Sequence, residues 1–209
     1  MPEQAPIAGH SRSLSVVIGK CQSLARVSAY AAPVTEPEGP PRIAGERRPA
    51  TDAEARALAS AVRLRILRLC LDEALTNKEI AARLGRNPAT VLHHVRTLLD
   101  TEFLVAEPER RGTRGAREVP YRATGKSWLM DTADRPPAAR DPLLAAFLEE
   151  VAAVGEHRLM SARLALRLPV ADRVELERRL QELLDEYARR PADPDGEKWS
   201  LYLGMHPEV

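Results

Sequence analysis

Aromatic side chains are scarce in this chain, at 4% of 209 residues. A β-sandwich of that length usually carries more aromatic and β-branched residues, so the shortage argues for a helical protein. Cysteine is scarcer still. Cys21 and Cys70 alone cannot make a disulfide framework. No apolar run approaches the ~18 residues of a membrane span. The stretch Leu14 to Gly19 is too short for a signal-peptide core and is closed by Lys20. A soluble, cytoplasmic protein with no membrane partner is expected. Enzyme signatures are missing too: there is no phosphate loop, no G-x-S-x-G and no H-E-x-x-H. GTRGAR at 112–117 has two glycines but no helix pattern after it, and Glu149-Glu150 reads as part of a solvated helix face. Neither catalysis nor a cofactor is expected.

Only four of the 31 basic residues are lysines. Arginine, which supplies the rest, is the better side chain for gripping phosphates. Residues 1–50 balance at +2, residues 51–126 at +4 and residues 127–209 at −5. A basic middle followed by an acidic end fits a central nucleic-acid-binding domain with a partner region kept off the phosphates.

Residues 1–50 show no sustained period. Thr35 to Arg48 has the composition of a linker or disordered tail, and Ser13 to Ile18 offers at most a short isolated strand. From Thr51 the pattern turns helical. Thr51 or Asp52 caps a helix through Ser60, and a second runs from Ala61 to Leu71 with Val62, Ile66, Leu69 and Cys70 inward. Cys70 reads as a small core residue. Thr76 and Glu79 form a capping box, with Ile80, Ala81 and Leu84 inward and Gly85 as the stop. Asn87 caps the next helix, over 87–101, with Pro88 at its first position and Val91, Val95 and Leu98 buried. Phe103–Glu107 and Glu118–Ala123 read as strands around a basic loop, Pro108 to Arg117. Together these make a winged helix-turn-helix over 51–126.

A linker over 127–140 precedes a helical region over 141–209. There Asp141-Pro142 opens one helix, and Asp172 with Glu175 marks another. Leu143, Phe147 and Val151, continued by Val154, form one apolar seam; Leu176, Leu180, Leu183 and Tyr187 form a second. One seam pairs across a dimer and the other packs within the protomer, without the sequence deciding which. Trp199 to Leu203 alternates as a short strand does. Phe147, Trp199 and Tyr202 are either core or the wall of a small apolar effector site. The expected architecture is mainly α with a small β wing: a winged helix-turn-helix plus a C-terminal helical dimerisation region.

With Val91, Val95 and Leu98 buried, Pro88, Ala89, Thr90, Leu92, His93 and Arg96 are left to project elsewhere, a free face starting at a helix N-terminus and suited to a major groove. Arg110, Arg111, Arg114 and Arg117 in the loop are placed to straddle phosphates or enter the minor groove. The alternative is a winged-helix module for protein–protein contacts, but such a wing has no need of so many arginines.

In RLRILRLC, EIAARLG, NPATVLHHVRTL, FLVAE and RRGTRGAREVPYRAT the sequence resembles the ArsR family of winged-helix repressors, in the broad sense that includes members without metal sites. The resemblance covers about residues 51–126. It implies a bacterial homodimeric repressor that reads an inverted-repeat operator in double-stranded DNA through the early residues of the recognition helix: Pro88, Ala89, Thr90, Leu92, His93 and Arg96. Leu92 stands where a serine is frequent. A leucine meets a thymine methyl but donates no hydrogen bond, which moves specificity toward Thr90, His93 and Arg96. Metal-sensing relatives carry paired cysteines on the preceding helix, and TNKEIAARL has none. His93 and His94 project roughly 100° apart and cannot share an ion. His93 is expected on the DNA face, His94 at the domain edge, and no metal is expected.

Overall fold

A computed structural model describes residues 43–112, 116–131, 141–193 and 195–207. The chain divides into two compact units: Glu36–His157 with Asp185–Val209, and Met1–Thr35 with Arg158–Leu184. The strand expected at Ser13 to Ile18 and most of the expected linker lie outside the described residues.

In the first of these units the leading elements begin where side chains satisfy free backbone N–H groups. Strand β1 (Arg48–Pro49) leads into α1 (Asp52–Leu58), where Thr51 and Glu54 complete a capping box. Helix α2 (Ala61–Leu69) is capped by Ser60. After β2 (Leu75–Thr76), α3 (Asn77–Leu84) opens on the capping box of Thr76 and Glu79. It closes at Gly85, whose φ of 62° is left-handed. The Arg86 N–H reaches back to the Ala81 carbonyl at 3.0 Å, completing the turn that ends the helix. Helix α4 (Pro88–Asp100) follows with Asn87 as its cap and Pro88 in its first turn, where no donor is missed.

The wing strands are β3 (Leu104–Ala106), β4 (Arg110–Arg111), β5 (Arg117–Glu118) and β6 (Pro120–Ala123). A three-stranded antiparallel sheet runs β2-β6-β3, pairing Leu75 with Tyr121 and Val105 with Arg122. The second expected strand is thus broken in two, with β5 pairing to β4 at the outer end of the hairpin. A 3-10 turn (Lys126–Leu129) then leads to β7 (Met130–Asp131), which pairs in parallel with β1. Residues 48–50, expected in the tail, are therefore tied to the far end of the winged helix. The Ala50 N–H donates to the Asp131 carbonyl at 2.8 Å, and Ile43 is 6% exposed.

The core is the one the periodicity indicates. Ile66, Cys70, Ile80, Val91, Val95 and Leu98 are fully buried and cluster with Leu75, Phe103 and Leu104. Val62 and Leu69 are only partly buried at its margin, and Leu67 replaces them inside. Burial pushes the Cys70 thiol up to about 12, so it packs as a small apolar side chain rather than serving as a thiolate.

Helix α5 (Pro142–Val154) is capped by Asp141 and packs on α2. Arg65 reaches Glu149 at 2.8 Å and Arg68 reaches Glu150 at 3.5 Å. Ala146 is its buried residue, while Leu143 is 57% exposed and Phe147 and Val151 are half-buried. Phe147 stacks on Tyr202 within the unit. Trp199 to Leu203 forms no ladder, contrary to the expected strand, because no described strand lies alongside to accept its hydrogen bonds.

In the second unit, residues 159–169 have no regular structure, and α6 (Val170–Arg189) starts two residues ahead of Asp172 and ends in the first unit. Leu176 and Leu180 are half-buried and Leu183 is exposed, as is Tyr187 beyond the unit boundary. Arg173 pairs with Glu177, Glu175 with Arg178 and Arg179, and Arg178 with Glu182. Among the described residues no helix is long and apolar enough to cross a membrane.

Candidate nucleic-acid interface

One asparagine ties α3 to α4 across their turn, and a second caps α4. The Asn77 side-chain amide donates to the Pro88 carbonyl at 2.9 Å, and the Asn87 carboxamide oxygen accepts from the Ala89 N–H at 2.8 Å. The first bond is an orienting contact that sequence reading missed. Asn77 follows a helix cap and looks like an ordinary first-turn residue.

Burial of Val91, Val95 and Leu98 turns the opposite side of α4 outward. Pro88, Ala89, Thr90, His93 and Arg96 are exposed, and Leu92 is half-buried. Ala89, His93 and Arg96 are spaced four and three apart, so they line one stripe that begins at the partly positive end of the helix. His94 lies off this stripe, half-buried. Burial, followed by the nearby Arg63, His93 and Arg86, pulls its imidazole below the usual range, so it is neutral at pH 7 while His93 stands in the open.

The wing arginines divide. The Arg110 guanidinium sits on both oxygens of Glu79 at 2.7 Å, which ties the hairpin to the first turn of α3. Glu79 itself is held below the ordinary carboxylate range, first by the backbone N–H of Thr76 that it caps, then by that residue's hydroxyl and by Arg110. Arg117 is 85% exposed and only loosely paired, 3.4 Å from Glu109. Arg111 is exposed, with no acidic partner among the described residues. Arg114 lies outside the described residues. Four arginines expected to act alike therefore include one, Arg110, already engaged within the protein.

Two cations not picked out from sequence join the exposed set. Lys78 and Arg86 are exposed, and like Arg96 and Arg111 they pair with no acid among the described residues. Their neighbours Arg83 and Arg122 are matched by Glu73 and Glu107. The signal for Lys78 was present: a lysine in the first turn of a helix opposes the helix dipole, so it is badly placed for stability. An unmatched cation beside a helix N-terminus is well placed for an anion.

The class of module is thus defined: a winged helix-turn-helix whose second helix has an open face flanked by exposed cations. The sequence profile of a helix-turn-helix domain family matches residues 58–105, which run from the end of α1 into β3. No curated protein sequence matches the chain. Among solved structures, the chain is similar to ZitR of Lactococcus lactis, described as a zinc-responsive MarR family member. That structure shares 17% identity, with 79% of this chain and 94% of that chain covered and a TM-score of 0.30. The same protein in complex with DNA shares 18% identity over 79% and 93% of the two chains, also with a TM-score of 0.30.

Proposed function

We propose that this chain is a DNA-binding transcription regulator of the ArsR-like, non-metal-sensing kind, a homodimeric bacterial repressor that reads an inverted-repeat operator. One observation carries the reading: Lys78, Arg86, Arg96 and Arg111 are exposed on and around the recognition helix with no acidic partner among the described residues, while their neighbours Arg83, Arg110 and Arg122 are matched by Glu73, Glu79 and Glu107. Unmatched cations release counterions when they meet phosphates, which is the main source of affinity for DNA. Pro88, Ala89, Thr90, Leu92, His93 and Arg96 would face the major groove, with base reading concentrated on Thr90, His93 and Arg96. Arg111, Arg114 and Arg117 would meet the backbone or minor groove, while Arg110 holds the wing in place.

A protein-interaction module gains nothing from these open cations. Dimerisation follows from information: one winged helix covers too few base pairs to select a site in a genome, and two-fold pairing doubles the reading.

Selection from random-sequence DNA tests this. The full chain should enrich a two-fold-symmetric site with half-sites about one helical turn, ~34–36 Å, apart. His93→Ala or Arg96→Ala should lower preference for that site by ~1–3 kcal/mol for each base-edge interaction the variant can no longer make, with little change on random DNA. Enrichment of no sequence at all would reject the reading.

A further inference from the structure

Three fully buried side chains, Val91, Val95 and Leu98, hold α4 to the core. Apolar contacts are non-directional, so they fix which face of a helix is covered more tightly than its roll about its own axis. The roll matters for reading bases. Side-chain tips lie ~6 Å from a helix axis, and a roll of ~20° carries them ~2 Å, enough to break a hydrogen bond. A directional hold on α4 comes from the neighbouring helix. Asn77 Nδ2, on the first residue of α3, donates to the carbonyl of Pro88, the first residue of α4, at 2.9 Å.

Neither capping nor packing accounts for an asparagine there. Thr76 and Glu79 supply both halves of the α3 cap, and Asn77 is half-buried outside the core cluster. An acid would suit the first turn of a helix better. The Asn77 Oδ1 atom is buried with no hydrogen-bond partner among the described residues. Reversing the amide would not mend this, because the oxygen would then face the Pro88 carbonyl, acceptor against acceptor. The side chain serves as a donor and leaves its acceptor unmet.

The turn that carries Asn77 is itself fixed. Thr76 is 4% exposed and pairs with Pro120 in the sheet. Two residues beyond Asn77, the Glu79 carboxylate accepts from Arg110 of the wing. The first turn of α3 thus holds the wing and the start of α4 in one frame. We propose that Asn77 is a positioning residue for sequence discrimination: without touching a base, its bond to Pro88 sets the roll at which Thr90, His93 and Arg96 meet base edges. The proposal deepens the regulator reading and rests on it.

The test compares the full chain with Asn77→Ala and Asn77→Asp on two duplexes across a range of salt. One duplex is the site the parent selects from random sequence, and the other is a scrambled version of it. Asn77→Ala should lower the preference for the selected site on the order of tenfold, because side chains shifted by ~2 Å no longer meet the base edges. The slope of log K against log salt should stay at the parent's value, since no charge is removed. Asn77→Asp keeps the shape and suits the helix N-terminus but turns the donor into an acceptor. Its preference should drop at least as far, while the added charge weakens binding to both duplexes alike. A purely structural role would lower the folded fraction, which weakens both duplexes by one factor and leaves the preference unchanged. A preference kept by either variant would therefore overturn the proposal, and a selective parent would leave the regulator reading standing. A parent with no preference at all rejects both.

Discussion

Glu54 is a carboxylate 5% exposed that holds three groups together. Arg48 grips it with two bonds of 2.7 and 3.0 Å, Lys126 Nζ lies at 2.8 Å, and the Thr51 N–H donates at 2.8 Å. One side chain thus joins the approach to α1, the first turn of α1 and the turn after the wing. Arg48, the largest influence, holds the carboxyl far below the usual range, against the opposing effect of burial. Because the folded value is depressed, this stabilisation is fully present above the ordinary carboxylate value of ~4.3 and fades as pH falls below it. Glu54→Gln should cost ~1.5–3 kcal/mol at neutral pH, the worth of hydrogen bonds to a charged group, and should flatten the loss of stability below that pH. Urea unfolding across pH checks both, and an unchanged acid slope would show that Glu54 is not the responsible group. The wing arginines separate at the same scale. Arg111→Ala should flatten the dependence of log K on log salt by about one unit on any DNA. Arg110→Ala should leave that slope near the parent's and loosen the wing, because its charge is already matched by Glu79. Equal slopes for the two variants would remove that distinction.

Element boundaries in this chain are written in caps, and most were legible; Ser60, which the sequence reading placed at the end of α1, instead caps α2. Thr76 with Glu79, Gly85, Asn87 with Pro88 and Asp141 with Pro142 all sit where sequence placed them. The end of α4 falls at residue 101, where the sequence reading put it, although no usual capping residue marks it. Thr101 closes the helix, Glu102 takes the left-handed conformation at φ 57°, and the Phe103 N–H returns to the Leu98 carbonyl at 2.9 Å. Glycine is the residue normally found in such a position, and a glutamate there carries no sequence mark. The conformation costs an ordinary L-residue ~1–2 kcal/mol, whereas glycine adopts it freely at an entropic cost of ~0.5–1 kcal/mol. Glu102→Gly should therefore raise stability by up to about 1 kcal/mol, since the pair with Lys126 that it sacrifices is solvent-exposed at 3.4 Å. Thermal unfolding measures this, and a destabilised variant would mean that the ion pair matters more than the backbone.

At the scale of the molecule, α5 belongs with the helix-turn-helix it follows. Ending the chain at Arg140 takes away the helix that packs on α2 and strips Arg65 and Arg68 of Glu149 and Glu150. The truncated chain should melt on the order of 5 °C or more below the parent; an equal melting temperature would make α5 an appendage. The sequence by itself determined the order of the central helices, their inward faces and the outward stripe of α4. Those features depend on period, caps and turns, which act over a few residues. Only the tertiary structure decided that Arg48–Pro49 pairs with Met130–Asp131, that Arg110 is committed to Glu79, and that Trp199 is exposed while Phe147 is covered by Tyr202. Each joins residues far apart in the chain or weighs one partner against another. Composition and spacing carry no record of such choices, because the partner that wins is whichever the folded backbone brings within hydrogen-bonding or van der Waals reach.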